Sequence, residues 1–419
     1  MTHLKFITAG ILASLAWAGL ALYGGLSGWW LDPITERGDS RQFMDAAISM
    51  IGESSPGSVA LVLIEDGEVY DEYYHSAGAP INADTVFATA SLSKWPTAYA
   101  AMLLVEQGKI DLDAPVSRYL TRWQLPASDF DNEAVTVRRL LSHTAGLVDG
   151  LGYGDYTADE TLPSLVESLD NPRGSDDEDV QIIVGREPGS EWDYSGGGYL
   201  VLELLVEEVT GMDFAEYMQE AVFAPLGMSR SSYQYLAELD NIAGSYERSG
   251  EPAPLYQYAA RSATALASSA ADLTRFAQAQ LRADAPLADS SVSTMREPLG
   301  REMGMAIWGA GVMLYHPSGE GDYVFGHDGA NDPSINASVR VNPDTGDAIV
   351  ALSTGPAYLA SRLAYQWGLW TTGYPDFIQA NLAIESAMQP IMLGLLLIAV
   401  SLLLLALLLW RQRARAVAD

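Results

Sequence analysis

Ser91 and Lys94 stand three residues apart, at the start of a run of helix-forming residues from Ala98 to Glu106. Residues three apart on a helix share one face, so the lysine amine can reach the serine hydroxyl. A serine hydroxyl is a poor nucleophile until a base takes its proton, and a lysine is such a base when its surroundings lower its pKa from about 10.4 toward neutrality. The pair alone is a weak signal, because an N-cap serine followed by a solvated lysine has the same spacing.

The lysine content of the chain strengthens this interpretation. Lys5, Lys94 and Lys109 are the only lysines among 23 lysine and arginine residues. Arginine keeps its charge and cannot act as a base, whereas lysine can once its pKa is lowered. In a chain that uses arginine at most cationic positions, a lysine three residues after a serine favours a catalytic pair.

Two further stretches hold residues that can act with this pair. Tyr194 lies in the glycine-rich segment Trp192–Tyr199, directly before a predicted helix. A tyrosine can act as a base or an acid if a cation stabilises its phenolate, and Lys94 is the candidate cation. His327 lies at a predicted strand, where the missing side chain of Gly329 lets a substrate or another backbone approach closely.

A third stretch, Leu140–Leu147, places His143 between two predicted helices. We expect His143 to be a structural hydrogen-bonding residue of this turn rather than a catalytic group. The remaining histidines, His3, His75 and His316, show no spacing typical of metal ligands, so no metal site is predicted. The acidic run at 176–179 lacks the spaced ligands of a calcium loop and is predicted to be a solvated loop.

The motifs at Ser91, Tyr194 and His327, which read Ser-x-x-Lys, Tyr-Ser-x and His-x-Gly in this order, resemble a known family. It is the serine hydrolase family of class C β-lactamases and low-molecular-weight penicillin-binding proteins, with its D-alanyl-D-alanine peptidases, D-aminopeptidases and esterases. The resemblance runs from about Ser58 to Trp370. Three connecting segments share it: 140–147, 225–228 and 269–273.

The resemblance implies a role for each matching residue. Ser91 is the acylated nucleophile with Lys94 beside it, and Tyr194 takes the serine proton, directly or through Lys94, and later activates the hydrolytic water. The oxyanion hole is formed by the backbone N–H groups of Ser91 and Ala330. His327 lines the site and orients the substrate or tunes Tyr194. Gly329 belongs to the same substrate-binding strand, and the resemblance implies no cofactor.

Two positions depart from the family pattern. Gly196 stands where the family often has an asparagine that holds an acylamino group, and His327 stands where β-lactamases of this type usually have a lysine. A histidine with an ordinary pKa near 6.5 is mostly neutral at pH 7 and supplies no permanent charge for a substrate carboxylate. Both changes favour an esterase, peptidase or amidase. A true β-lactamase and a non-catalytic module that binds cell-wall peptides are the alternatives.

The composition of the chain limits its partners. Among 419 residues, 48% are hydrophobic and 10% aromatic, which is typical of a folded protein, and cysteine is absent. The net charge of −31 repels nucleic acid and anionic lipid headgroups, so neither is predicted as a partner. We expect a small-molecule or peptide substrate, and the oligomeric state is left open.

The hydrophobic patterns predict an α+β fold in which early and late strands form one antiparallel sheet, flanked by helices and with an inserted all-α domain. The sheet is expected from about 57–90 and 300–370, and the helical part from about 100–300. The predicted strands are Ser58–Ile64 and Glu68–Tyr74, joined as a hairpin, and Ala306–Tyr315, Tyr323–His327, Ile335–Val341 and Asp347–Ser353. The predicted helices are Leu103–Leu141, broken by prolines, and Gly198–Thr210, Phe214–Phe223, Ala271–Leu281 and Leu359–Trp370.

Long apolar runs near both ends, Phe6–Leu31 and Pro390–Trp410, predict two membrane spans. Lys5 precedes the first run and arginines follow the second, so both ends are predicted to be cytoplasmic and the hydrolase periplasmic or extracellular. A cleaved signal peptide is the alternative for the first run, although a retained anchor is favoured. The predicted domains are an N-terminal anchor or signal sequence, the hydrolase, a transmembrane helix and a basic cytoplasmic tail, at 1–32, 40–386, 387–412 and 413–419.

Overall fold

The computed structural model of the protein describes residues 2–55, 57–150, 153–174, 180–319, 321–331 and 335–418. The chain divides into two compact units, Asp39–Trp367 and a second unit made of Met1–Gly38 with Gly368–Asp419. The acidic run at 176–179, predicted to be a solvated loop, lies outside the described residues.

In chain order, the strands of the described residues are β1 (Ser58–Glu65), β2 (Glu68–Ser76), β3 (Val86–Ala88), β4 (Asp155–Tyr156), β5 (Gln257–Tyr258), β6 (Ala267–Ser269), β7 (Gly300–Glu302), β8 (Met305–Trp308), β9 (Met313–Pro317), β10 (Tyr323–Asn331), β11 (Ile335–Asn342) and β12 (Asp347–Thr354). The α-helices are α1 (Thr2–Leu26), α2 (Ser40–Ser54), α3 (Lys94–Glu106), α4 (Val137–Leu141), α5 (Leu165–Asp170), α6 (Gly197–Thr210), α7 (Phe214–Met218), α8 (Arg261–Thr264), α9 (Ala270–Ala279), α10 (Asp289–Met295), α11 (Leu359–Thr372) and α12 (Ala380–Ala418).

One eight-stranded antiparallel sheet organises the larger unit, in the order β2-β1-β12-β11-β10-β9-β8-β7. The apolar strand β1 is buried along nearly its whole length, whereas the polar strand β2 is the partly exposed edge. The predicted hairpin of β1 and β2 is confirmed, and β1 also pairs with β12, which places Val59 opposite Ser353. Early and late segments therefore share one sheet, as predicted.

The middle of the chain differs from the predicted all-α domain. It contains most of the helices, but β4 pairs with β5 inside it, and β6 pairs with β3 of the early segment. The predicted helical region Leu103–Leu141 is wrong for most of its length, because α3 ends at Glu106 and α4 begins only at Val137. Gly108 explains the end of α3, since it has a φ of +67° and directs the chain away from the helix.

The predicted strand Ala306–Tyr315 is in fact two strands, β8 and β9, separated by a turn. Gly311 in this turn has a φ of +80°, and a Cβ atom there would lie 2.1 Å from the Cβ of Ala98. The turn therefore packs directly against α3, the helix that begins with Lys94. The other predicted helices and strands are present with bounds that differ by a few residues, although β10 continues to Asn331 and α7 ends in a π-helical turn, Gln219–Phe223.

The smaller unit contains two helices that are long and apolar enough to cross a membrane, at Ile7–Leu26 and Ala380–Gln412. The two helices pack against each other, and the Trp17 indole donates a hydrogen bond to the Pro390 carbonyl oxygen at 3.0 Å. The second helix begins earlier than the predicted transmembrane segment. The length and apolar composition of both helices agree with the two predicted spans.

Candidate active site

Ser91 lies in a single 3-10 turn, Ala90–Ser93, that connects β3 to α3. Ala90, the residue before it, has a φ of +47°, a left-handed conformation that costs free energy for any residue with a side chain. The turn is held by neighbouring segments, since the Ser93 hydroxyl donates to the Ala90 carbonyl and accepts from the backbone N–H of Leu266. The strained turn places Ser91 at the start of α3, as predicted.

Lys94 is the first residue of α3, and its side chain is fully buried. Its Nζ lies 3.3 Å from the Ser91 Oγ and donates to the Ala263 carbonyl oxygen at 3.0 Å. Among the described residues it forms no ion pair. Burial therefore lowers the pKa of Lys94 to about 7, although the charge of Asp149 opposes this. At neutral pH a large share of the molecules has a neutral amine beside the serine hydroxyl.

Tyr194 forms a hydrogen bond with Ser91, and its ring lies under the Lys94 amine, with the Nζ 4.9 Å from the ring centroid. Burial raises the pKa of Tyr194, and the hydrogen bond to Ser91 offsets only part of this. The phenol is therefore protonated at neutral pH. The expected phenolate stabilised by Lys94 is not the resting state, because the amine lies over the ring face and is itself partly neutral.

His327 is fully buried on β10, with its Nδ1 2.6 Å from the Asp328 carbonyl oxygen. A carbonyl accepts hydrogen bonds, so Nδ1 carries the ring proton and Nε2 presents a lone pair. Burial, with a smaller effect from the Lys94 charge, lowers the pKa of His327 to about 3. The residue is neutral at pH 7, and the strand motif offers no cation at this position.

Gly329 packs β10 against the turn that contains Ser91. A Cβ atom at Gly329 would lie 2.0 Å from the Thr89 carbonyl oxygen and 3.0 Å from the Ser91 nitrogen. A side chain at this position would clash with the turn, so the position requires glycine. The predicted close approach of another backbone to Gly329 is present. Ala330, the residue after this close contact, is exposed.

His143 forms hydrogen bonds with the residues directly before and after Tyr194. Its carbonyl oxygen accepts from the backbone N–H of Asp193 at 2.8 Å, and its Nδ1 accepts from the backbone N–H of Ser195 at 3.1 Å. The His143 ring is stacked on the Tyr194 ring with centroids 4.3 Å apart, and the backbone φ of His143 is +56°, which is uncommon for a residue other than glycine. The expected hydrogen-bonding role is present, and its partners are the two neighbours of Tyr194.

Asp149 is the site residue that sequence reasoning missed. It is buried, and its carboxylate accepts from the Ser195 hydroxyl at 2.6 Å, the Gly197 backbone N–H at 2.7 Å and the Tyr153 hydroxyl at 3.0 Å. These bonds hold the loop that carries Tyr194. Burial raises the pKa of Asp149, and the same hydrogen bonds oppose that rise. Nothing in the sequence distinguished Asp149 from the other acidic residues of this strongly acidic chain.

The structure thus brings Ser91, Lys94, Tyr194 and His327 into one site. Trp308 lies between the two histidines, with ring centroids 4.7 Å from His143 and 5.3 Å from His327. The described part of the chain contains no cluster of three or more histidine, aspartate or glutamate side chains suited to a metal ion. The arrangement has a nucleophile, a partly neutral amine and a protonated phenol around one hydroxyl, which is suited to acyl transfer.

Comparisons with known proteins agree with this geometry. The family model described as Beta-lactamase matches residues 41–367. Penicillin-binding protein 4 of Amycolatopsis lactamdurans is 29% identical over 330 residues, which are 72% of this chain and 81% of that protein. Esterase EstB of Burkholderia gladioli is 33% identical over 199 residues, 43% of this chain and 46% of the esterase.

Solved structures show the same fold. The octameric penicillin-binding protein homologue from Pyrococcus abyssi superposes with a TM-score of 0.67 at 23% identity, covering 81% of this chain and 78% of that one. EstCE1, described as a hydrolase with promiscuous acyltransferase activity, has a TM-score of 0.64 at 22% identity, covering 80% and 98%. Since the family model spans most of the chain, this protein belongs to the β-lactamase family and is a serine hydrolase of the β-lactamase and penicillin-binding-protein type.

Proposed function

We propose that this protein is a membrane-anchored hydrolase that cleaves an ester or an amide, such as a D-amino acid peptide, a cell-wall peptide or a small ester, through an acyl-enzyme on Ser91. The observation that carries the proposal is the contact of the Lys94 Nζ with the Ser91 Oγ at 3.3 Å, by an amine whose pKa is lowered to about 7. A buried lysine without a carboxylate partner is costly for a binding module, whereas a hydrolase uses it as a base.

In the proposed acylation step, neutral Lys94 takes the proton of the Ser91 hydroxyl as the Oγ attacks the substrate carbonyl. The resulting oxyanion accepts hydrogen bonds from the backbone N–H groups of Ser91 and Ala330, the two groups that Gly329 brings together. Each such donor contributes about 2.7–4 kcal/mol to transition-state stabilisation. Tyr194, which is protonated, then donates its proton to the leaving oxygen or nitrogen and receives one from the Lys94 ammonium.

In the proposed deacylation step, water attacks the acyl-enzyme and gives its proton to the Tyr194 and Lys94 pair, which returns a proton to the Ser91 Oγ. The acid is released, and both groups recover their resting protonation. Of the two proton routes that the motif allowed, the one through Lys94 is supported better, because the pKa of Tyr194 is raised and that of Lys94 is lowered.

The preferred substrates are proposed to be esters or amides rather than β-lactams. The supporting observation is the neutral, lone-pair-bearing His327 at the strand position that would otherwise supply a cation for a carboxylate. The relatives include a protein named as an esterase and proteins named as penicillin-binding proteins, so both substrate classes belong in one panel.

A substrate panel on the full chain in detergent tests the proposal. We expect hydrolysis of p-nitrophenyl esters or D-amino acid amides, slow or no hydrolysis of nitrocefin, and labelling by a fluorescent phosphonate probe. Ser91→Ala is expected to lose both turnover and labelling. Equal labelling of the wild type and Ser91→Ala would refute the acyl-enzyme, and rapid nitrocefin turnover would indicate a β-lactamase.

We also propose that α1 and α12 span the cytoplasmic membrane with both ends inside and the larger unit outside. The two long apolar helices and the arginines after Trp410 support this arrangement. Because the chain has no cysteine, single cysteines report the topology cleanly. In intact cells, an impermeant maleimide should label Ala127→Cys and leave Ala416→Cys unlabelled until the membrane is permeabilised. The reverse pattern would overturn the orientation.

A further inference from the structure

An apolar pocket in the larger unit contrasts with the acidic surface of the chain. Its cavity volume is about 90 Å³, within about 790 Å³ of empty space that includes open solvent. The described residues that line it include no charged side chain, although the net charge of the chain is −31. Aromatic and aliphatic side chains dominate the walls, among them Phe87, Leu162, Tyr235, Leu255 and Tyr256.

Among the described lining residues there is no charged side chain that would bind an ion or a charged group. Its polar side chains are hydroxyl and amide groups such as those of Gln234, Gln257 and Thr264. The Tyr235 hydroxyl already donates to the Leu255 carbonyl oxygen at 2.9 Å, which leaves its ring as the surface toward the pocket. Burying a carboxylate or an ammonium group in such surroundings is unfavourable, whereas apolar groups gain free energy there.

Three residues of the pocket wall are connected to the candidate active site, two by their position along the chain and one by a hydrogen bond. Ala88 ends β3, three residues before Ser91. Thr264 follows Ala263, whose carbonyl oxygen accepts the Lys94 hydrogen bond.

The third connection runs through β10. The Tyr258 hydroxyl accepts a hydrogen bond from the Asn331 Nδ2 at 2.9 Å, and Asn331 directly follows Ala330, the proposed oxyanion donor. Tyr258 itself lines the pocket. The pocket therefore adjoins the nucleophile turn, the acceptor of the lysine and the oxyanion strand, which together surround the substrate carbonyl in the proposed function.

We infer that this pocket binds an uncharged apolar or aromatic group of the substrate, and so selects hydrophobic esters or amides over short or charged ones. The inference rests on the proposed hydrolase function and names the substrate class of that site. The group can belong to the acyl part or to the leaving part of the substrate, since both flank the carbonyl. Each methylene that enters the pocket should raise kcat/KM by about fourfold until the pocket is filled.

Two series of esters test the inference on the full chain. The acyl series is p-nitrophenyl acetate, butyrate, hexanoate and octanoate, and the leaving-group series is ethyl, butyl, hexyl and benzyl acetate. A p-nitrophenyl ester of adipic acid, with a free carboxylate at the far end, is the charged counterpart of the hexanoate. We expect kcat/KM to rise along one series and, where this is the acyl series, to be at least tenfold lower for the adipate than for the hexanoate.

Ala265→Phe fills the pocket from a partly exposed wall position. It should abolish the gain in kcat/KM with chain length, whereas Ala127→Phe, on an exposed loop, should leave the chain-length profile unchanged. Leu255→Ala widens the pocket and should move the optimum to longer chains, which keeps the test decisive if Ala265→Phe does not fold. An unchanged chain-length profile in the folded pocket variants, or a preference for the adipate, would overturn the inference. Activity that survives Ser91→Ala would instead refute the hydrolase mechanism, so the two failures are distinguishable.

Discussion

Lys94 and Arg261 are both largely buried cations of the larger unit, and they differ in what surrounds them. Arg261 forms ion pairs with Glu203 at 2.8 Å, Glu207 at 2.9 Å and Asp213 at 2.8 Å. Lys94 contacts a hydroxyl and a carbonyl oxygen and forms no ion pair within the described residues. The pKa of Arg261 is raised by its carboxylates, whereas burial lowers that of Lys94 to about 7. The paired cation stabilises the fold, and the unpaired cation is able to exchange a proton.

The short helix α8 connects the two cations. Arg261 begins this helix, and the buried Glu203 also accepts from the backbone N–H of Ser262 at 3.0 Å. The next residue, Ala263, presents the carbonyl oxygen that accepts from Lys94. The ion pairs of Arg261 therefore hold the backbone segment whose carbonyl oxygen contacts Lys94. We expect the loss of Lys94 to affect activity and the loss of Arg261 to affect stability.

The largest expected effect is the loss of activity when Lys94 is replaced. Lys94→Met removes the proposed base and should lower kcat/KM for p-nitrophenyl esters by about 10²–10⁴-fold. Lys94→Arg keeps a cation but cannot accept a proton, so it should be equally inactive. Near-wild-type turnover of either variant would show that another group takes the serine proton.

The same Lys94→Met variant should be more stable than the wild type. The folded-state pKa of Lys94 is lowered to about 7 from its ordinary 10.5. The unfolded chain therefore binds this proton more tightly than the folded chain does. The free energy of unfolding of the wild type is lowered by the full amount below pH 7, and this loss shrinks as the pH rises toward 10.5. Thermal denaturation should show the largest gain in Tm below pH 7 and a shrinking gain up to pH 10. A constant difference across this range would contradict the lowered pKa.

Loss of the paired cation should act mainly on stability. Arg261→Met leaves the Glu203 carboxylate, whose side chain is 1% exposed, buried without its partner. Breaking a buried pair in this way costs about 3–5 kcal/mol, measurable by urea unfolding. The matched control is Arg282→Met, which removes an exposed pair with Asp284 and should change stability by no more than about 0.5 kcal/mol. Equal effects of the two variants would argue against a structural role for the buried network.

A smaller effect on activity is expected from replacing His143, which holds the loop of Tyr194. His143→Phe keeps the ring stack on Tyr194 but leaves the Ser195 backbone N–H without its acceptor, which costs about 1–3 kcal/mol. His143→Asn keeps an acceptor and loses the stack. We expect both to lower kcat more than they raise KM, because they shift Tyr194 rather than the binding surface. A change in KM alone would place His143 in substrate binding instead.

The motifs at Ser91, Lys94, Tyr194 and His327 predicted a set of side chains that the structure brings together, and the hydrophobic patterns predicted the antiparallel sheet. Asp149 was not predictable, because its role depends on contacts with a loop 46 residues further along the chain. The carbonyl of Ala263 was equally hidden, since any residue has one. The segment after Glu106 was wrongly assigned to a helix because its apolar residues pack around turns instead of along one helical face.

The pH dependence of Ser91 acylation tests the central claim most directly, that neutral Lys94 is the base for this serine. The rate of the first p-nitrophenol turnover, measured on the full chain under single-turnover conditions, should rise about tenfold per pH unit below pH 7 and level off above it. Tyr194→Phe should lower this rate without moving the midpoint near pH 7, the value set by the lowered pKa of Lys94. A rate that is independent of pH from about 5 to 9, or that continues to rise through pH 9 and 10, would contradict the account.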